Sequence, residues 1–289
     1  PTPTADNPLR PLDGTRVVST AGNIPGPVAA ARLRDLGAHV VKVEPPGGDP
    51  LRTSSPAAYE ELTAGQEVVT LDLRAPGEAQ VFWRLLAEAE LLVTASRSAS
   101  LARLGIDWQS VHSKVPRTSV VAFVGSAAPD GGAAGHDLTY QAASGTLTAP
   151  DLPKLLVADF AGAERAVSEA LVALLVQRST GQGCYREVVL AEAAASMARP
   201  LRWGLTTPDG PLGGALPAYR LYAAQDGFVA LAALEPHFLR RTLELLAIDG
   251  SADAFEAVFR TRTSAEWERW AKEHDVPLAE VRGATEYRS

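Results

Sequence analysis

Apolar and polar positions alternate in two distinct rhythms along the first two thirds of the chain. Thr15–Thr20 (TRVVST) and His39–Val43 (HVVKV) are short runs rich in β-branched residues, the pattern of buried strands. Between them, after the Gly/Pro turn AGNIPGP, Val28–Leu36 carries apolar residues at helical spacing and stops at Gly37, a C-cap signal. Strand, tight turn, helix and strand in so short a span make a βαβ unit and therefore a parallel sheet. The alternation continues with a strand at Val68–Leu73, a helix at Glu78–Glu88 and a strand at Leu91–Thr94. Short helices at Leu101–Leu104 and Asp107–Ser113 precede another buried strand, Ser119–Val124. This pattern predicts a Rossmann-like, doubly wound α/β domain.

Ser126–Gly135 (SAAPDGGAAG) reads as a flexible loop that delivers His136 to a helix, LTYQAASG, with Asp137 as its N-cap candidate. Gly162–Arg178 reads as a long amphipathic helix capped by Asp159 and ended by STGQG; a strand at Tyr185–Leu190 and a helix at Ala191–Arg199 follow. The stretch PDGPLGG, Pro208–Gly214, is the best linker candidate. Beyond it, Tyr219–Tyr222 and Phe228–Ala232 flank AAQDG, a hairpin signal, and helices are predicted at Pro236–Leu246, Asp253–Arg260 and Ser264–Glu273. Two domains are expected: a large α/β domain over residues 8–207 and a smaller α+β domain over 208–289.

Composition narrows the function classes. Of 289 residues, 46% are hydrophobic and 21% charged, ordinary values for a soluble globular protein. Lys+Arg 27 against Asp+Glu 34 leaves a net charge of −7, which argues against nucleic-acid binding by bulk charge; a polyanion would have to meet a local basic cluster. Cys184 stands alone, which excludes an internal disulfide and a thiolate metal cluster and points to a reducing, cytoplasmic setting. The lead-in PTPTADNPLRPLDG is polar and Pro-rich, unlike a signal peptide, and no apolar run approaches the ~20 residues of a membrane span.

Five features carry candidate chemistry. The AGNIPGP turn follows the first strand, where an open α/β sheet forms its ligand crevice, and Glu44 ends the second strand where a dinucleotide fold places its ribose-binding acid. The spacing of Gly22 and Gly26 is nevertheless not GxGxxG, which argues against a dinucleotide site, and a tight turn that packs helix on sheet accounts for much of the signal. His136 follows a Gly-rich loop, which points it to a crevice, whereas His39, His112, His237 and His274 have structural readings at a strand edge, on helices and in a loop. With no HxxxH, no neighbouring His and no Cys pair, a metal site is not expected. Asp159 opens a long helix, as an N-cap or as a carboxylate kept ionised by the helix start; amides at Phe160–Gly162 could then face an oxyanion. Glu235 stands between an apolar strand and Pro236, a capping acid by itself. Lys42, Arg52, Arg74 and Arg97 lie near strand ends, as surface charges or as a basic cluster.

An ordered set of segments resembles the class III CoA-transferase (CaiB/BaiF) superfamily. It comprises PLDGTRVV, AGNIPGP, LRDLGAHVVKVEPPGGDPLR, VVTLDLRAPGE, RSASLARLGID, AGHDLTYQAASG, LLVADFAGA, STGQGCYREVVLAEAA, GGALPAYRLYAAQDGFVALAALEPHF and FRTRTSAEWERW. GHD, LLVADFAG and the EPHF run resemble the α-methylacyl-CoA racemase branch. The resemblance implies that His136 and Asp159 are a catalytic pair inverting the alpha carbon of a 2-methylacyl-CoA thioester by two-base proton transfer, with Glu235 orienting the histidine. It implies CoA contacts at Ile24, Lys42, Arg52, Arg97 and Tyr140. CoA would be part of the substrate, and no permanently bound cofactor, metal, nucleic acid or membrane is implied. It also implies an interlocked homodimer with sites between the large domain of one chain and the small domain of the other. Alternatives within the same resemblance are a CoA transferase with Asp159 as nucleophile through an acyl anhydride, and a reduced, non-catalytic member that binds an acyl-CoA or a partner. The last is motivated by Thr63–Glu67 (TAGQE), where the family carries basic residues, and by an end at Ser289 short of the family's usual length.

Overall fold

The computed structural model of the chain describes residues 10–127 and 134–283. The lead-in as far as residue 9, the middle of the expected 126–135 loop and the chain beyond residue 283 lie outside the described residues. The chain divides into two units after Ala198, rather than at the expected boundary of 207.

In the first unit, β1 (Arg16–Ser19), β2 (His39–Glu44), β3 (Glu67–Thr70), β4 (Leu91–Thr94), β5 (Ser119–Val124) and β6 (Tyr185–Val189) form one six-stranded sheet. Every pairing is parallel, and the order is β3-β2-β1-β4-β5-β6. The chain therefore winds outward from β1 to β3, returns beside β1 as β4, and winds the other way. That reversal leaves a crevice at the carboxyl ends of β1 and β4. The helices are α1 (Pro25–Asp35), α2 (Leu51–Ser54), α3 (Pro56–Thr63), α4 (Pro76–Ala87), α5 (Ser98–Leu104), α6 (Trp108–Lys114), α7 (Asp137–Ser144), α8 (Val157–Thr180) and α9 (Leu190–Met197).

Strand alternation distributes the core over both sheet faces. Val17, Val40, Val93 and Val121 pack with Leu33 of α1 and with Ala166, Ala170 and Leu174 of α8. Val18, Val41, Leu92 and Val120 pack with Phe82 and Leu86 of α4, Leu101 of α5 and Val111 of α6. Burial on both faces is why β1, β2, β4 and β5 read as nearly unbroken apolar runs.

Three boundaries differ from the sequence reading. Helix α1 begins at Pro25, whose fixed φ suits a first helical position. His136, not Asp137, occupies the N-cap position of α7. Helix α8 begins at Val157, so Asp159 lies inside its first turn and is not its N-cap. The amide of Phe160 accordingly donates to Leu156 O at 3.0 Å, and the expected oxyanion donors at Phe160–Gly162 are inside the helix.

The second unit contains α10 (Arg199–Arg202), β7 (Tyr219–Ala223), β8 (Phe228–Ala232), α11 (Pro236–Leu246), α12 (Ala252–Phe259), α13 (Ser264–His274) and β9 (Leu278–Glu280). Strands β7 and β8 form the antiparallel hairpin, and β9 extends it to three strands. Tyr222, Val229, Leu231, Phe255, Phe259 and Trp267 make its core. The Pro208–Gly214 stretch is not a linker but a compact turn. The amide of Gly210 donates to Thr207 O at 2.7 Å and that of Leu212 to Leu205 O at 2.8 Å. A Cβ at Gly213 would collide with the Thr207 carbonyl. No helix among the described residues is long and apolar enough to cross a membrane.

Candidate active site

The reversal between β1 and β4 does contain a cavity, of about 230 Å³. The turn after β1 supplies Gly22, Asn23 and Pro25, the turn after β4 supplies Arg97 and Ser98, and the end of β5 supplies Phe123 and Val124. His136 and Tyr140 come from the start of α7, and Asp159 from the first turn of α8. Four of the expected site residues, Arg97, His136, Tyr140 and Asp159, thus line one crevice.

Asp159 is half-buried, and its carboxyl is pushed up to about 6, first by burial and then by the charge of Asp137; His136 opposes the shift. The shift is opposite in direction to what a helix start would give, although a carboxyl at about 6 is still mostly ionised at neutral pH. The first-turn amides are already taken: those of Ala158 and Asp159 donate to Asp137 Oδ1 at 2.7 and 3.1 Å. The other oxygen of this buried carboxylate, Oδ2, accepts from Gln141 Nε2 at 2.5 Å. Asp137 therefore caps α8 from another element, fixing the turn that carries Asp159, and adds to burial in raising its carboxyl. Sequence reading recognised Asp137 only as a local cap, because its acceptor role links residues |i−j|=21 apart.

His136 is exposed at the mouth of α7. Its amide donates to Thr139 Oγ1 at 3.0 Å, and that hydroxyl donates back to the His136 carbonyl at 2.8 Å. The backbone beneath the imidazole is thereby fixed. Tyr140 is buried against Ala158 and Ala194, and its phenol is shifted upward by burial and then by the charge of Asp159. It thus faces the crevice as a neutral hydroxyl. A Cβ at Gly135 would lie 2.5 Å from the Tyr140 hydroxyl oxygen and 2.6 Å from the ring, which explains the glycine before the histidine. Gly135→Ala is expected to destabilise the protein by about 1–3 kcal/mol through overpacking, measured by urea unfolding.

The remaining expected CoA contacts are placed differently. Ile24 packs against the core, and its neighbours Gly22, Asn23 and Pro25 face the crevice instead. Lys42 is buried, with Nζ paired to Asp49 Oδ2 and 3.6 Å from Glu44 Oε1. Two buried carboxylates thus hold a cation that was expected to meet phosphates. Arg52 donates to Glu44 Oε2 at 3.0 Å and to the Tyr59 hydroxyl at 2.6 Å, with its guanidinium 4.8 Å from the Tyr59 ring centre. Tyr59 in turn donates to Glu44 Oε1 at 2.9 Å, so Glu44 is fully engaged rather than held open for a ribose. A second cavity of about 410 Å³ opens beside this cluster, lined by Thr20, Glu44, Leu71, Arg74 and Ser96. Glu235 belongs to the second unit, where it is exposed at the N-cap position of α11 and its side chain makes no capping hydrogen bond.

A family model described as CoA-transferase family III matches residues 12–289. The chain belongs to CoA-transferase family III. Among this family's curated members, human alpha-methylacyl-CoA racemase is 29% identical, covering 89% of this chain and 74% of that protein. The succinate–glutarate CoA-transferase of Agrobacterium fabrum is 28% identical, covering 84% of this chain and 68% of its own. Among solved structures, Rv3272 of Mycobacterium tuberculosis superposes with a TM-score of 0.84 at 23% identity, over 97% of this chain and 86% of that one. A CaiB/BaiF family protein of Brucella suis gives 0.80 at 24%, over 96% and 85%. Both share the fold of this family III chain.

Proposed function

We propose that this family III protein is an acyl-CoA racemase or epimerase that inverts the carbon alpha to a thioester. The observation that carries the reading is the convergence of His136 and Asp159 on one crevice, with the Asp159 carboxyl raised to about 6. Inversion removes a proton from one face and delivers another to the opposite face, so it needs two groups of nearby proton affinity in opposite protonation states. A histidine titrates near neutrality, and a carboxyl lifted toward the same range is matched to it. The alpha proton leaves to one of the two, the electron pair passes to the thioester oxygen as an enolate, and the other returns a proton to carbon.

The enolate oxygen needs donors. At the start of α7 the amides of Asp137 and Leu138 point out of the helix and have no acceptor among the described residues, which makes them better donors than the bonded amides of α8. Arg97 in the crevice would meet CoA oxygens, with CoA entering only as part of the substrate; Arg74, in the neighbouring cavity, is already held by Asp72 at 2.9 and 3.0 Å. Glu235 is the proposed partner that orients the His136 imidazole, within an interlocked homodimer.

Incubating the protein with a single enantiomer of 2-methylbutanoyl-CoA in deuterated water tests the reading. Deuterium at carbon alpha with loss of optical purity is the expected result; no exchange would overturn it. The transferase reading draws on the same carboxylate acting as a nucleophile at neutral pH. It predicts an Asp159 anhydride that hydroxylamine traps, and CoA exchange without alpha-deuteration.

A further inference from the structure

Asn23 is unusual in its backbone. Three non-glycine residues among those described have positive φ: Asn23, Ala247 and Asp275. Ala247 and Asp275 are the left-handed residues that close α11 and α13, a routine use of that conformation. Asn23, at φ 62°, closes no helix; it precedes the N-cap of α1 and lines the crevice with His136 and Asp159.

A left-handed L residue costs on the order of 1–2 kcal/mol, and asparagine tolerates it because its short side chain can hydrogen-bond locally. Here that compensation is missing, since the Asn23 side chain makes no hydrogen bond among the described residues and is exposed. A glycine would serve the turn at lower cost. The carboxamide therefore stands in the crevice at a conformational cost, without a hydrogen-bond partner among the described residues.

The turn behind it is rigidly backed. The Asp49 carboxylate lies 3.9 Å from the Cβ position of Gly22, and it is fixed by Lys42 and by the amide of Leu51, which donates to Asp49 Oδ1 at 2.9 Å. The buried Lys42–Asp49 pair thus stands behind the Gly22 side of this turn. With His136 and Asp159 assigned to proton transfer and Arg97 to CoA, the crevice keeps the Ser98 and Tyr140 hydroxyls and the Asn23 carboxamide as polar groups, and of these the carboxamide is the one on a residue held at positive φ.

Building on the proposed acyl-CoA activity, we infer that Asn23 determines specificity, selecting an acyl group that bears a hydrogen-bonding oxygen, a hydroxyl or a carboxylate, over a plain branched chain. A site that pairs a substrate oxygen discriminates strongly against the analogue lacking it, because its own polar group is then left unpaired.

The test compares wild type with Asn23→Gly, which suits the backbone and removes only the carboxamide, and with Asn23→Asp. The probes are 2-methylbutanoyl-CoA, 3-hydroxy-2-methylbutanoyl-CoA and 2-methylsuccinyl-CoA, read both by calorimetric affinity and by alpha-deuteration. Wild type is expected to prefer an oxygen-bearing probe at least about tenfold, and Asn23→Gly to collapse that ratio toward one. Asn23→Asp should keep the preference if the group is a hydroxyl and abolish it if it is a carboxylate. A ratio that is absent in wild type, or unchanged in Asn23→Gly, overturns the inference. Affinity preference without deuteration would sustain it while sinking the racemase reading; no binding of any probe would sink both.

Discussion

Asp159→Asn is expected to lose about a thousandfold of alpha-proton exchange, the scale of a removed general acid–base group, while the protein becomes harder to unfold at neutral pH. The two effects share one cause. In the folded protein the carboxyl titrates at about 6, raised by burial and by Asp137, against about 3.9 in an unfolded chain. Between those values the native state holds the extra proton, so stability falls as pH rises from about 4 to about 6 and stays low above that. Because the side chain is only half-buried, solvent screening reduces the penalty at pH 7 to about 1–2 kcal/mol. The neutral amide removes it. Urea midpoints should therefore favour the variant at pH 7.5, and the advantage should vanish near pH 4. A variant that is less stable at pH 7.5, or that keeps more than a tenth of the exchange rate, would refute this account of the site. His136→Ala should match the loss of exchange without that pH-dependent stabilisation.

The legible parts of this molecule are those whose physics is local. Strands β4 and β5 coincide with the apolar runs Leu91–Thr94 and Ser119–Val124, because burial on both sheet faces leaves no ambiguous ends. The crevice follows from the order of those strands, and His136 and Asp159 are recognisable by residue type and setting. What was not legible depends on groups distant in sequence. The start of α8 is displaced because its cap is Asp137, reached across a loop. Lys42 reads as a free cation until Asp49 and Glu44 are seen beside it in the interior. Ile24, the expected CoA contact, packs against the core, whereas Asn23 beside it, at positive φ, lines the crevice, a difference of backbone conformation that residue types do not show. Strand β9 has three residues and exists only by pairing with β8, so it carries no pattern of its own.

Asp137 separates positioning from electrostatics, and two substitutions divide them. Asp137→Ala leaves the amides of Ala158 and Asp159 and the Gln141 side chain without their acceptor in a buried setting. Loss of a helix cap together with unsatisfied buried donors should cost about 2–3 kcal/mol, and the first turn of α8 that carries Asp159 should fray. Exchange should fall together with stability, measured by urea unfolding and by the amide hydrogen exchange of residues 157–160. Asp137→Asn keeps an oxygen for the two α8 amides and removes the charge. Asp137 is the second cause of the raised Asp159 carboxyl, after burial, so its neutralisation moves that group down part of the way. If ionised Asp159 is the active form, kcat/KM rises with pH through its titration, and the variant's acidic limb must shift to lower pH. A carboxyl tuned only by burial would leave that limb where it is in wild type. A purely structural Asp137 would make both variants equally unstable and move no limb at all. Only a carboxylate that both holds the α8 amides and repels its neighbour gives the two different outcomes.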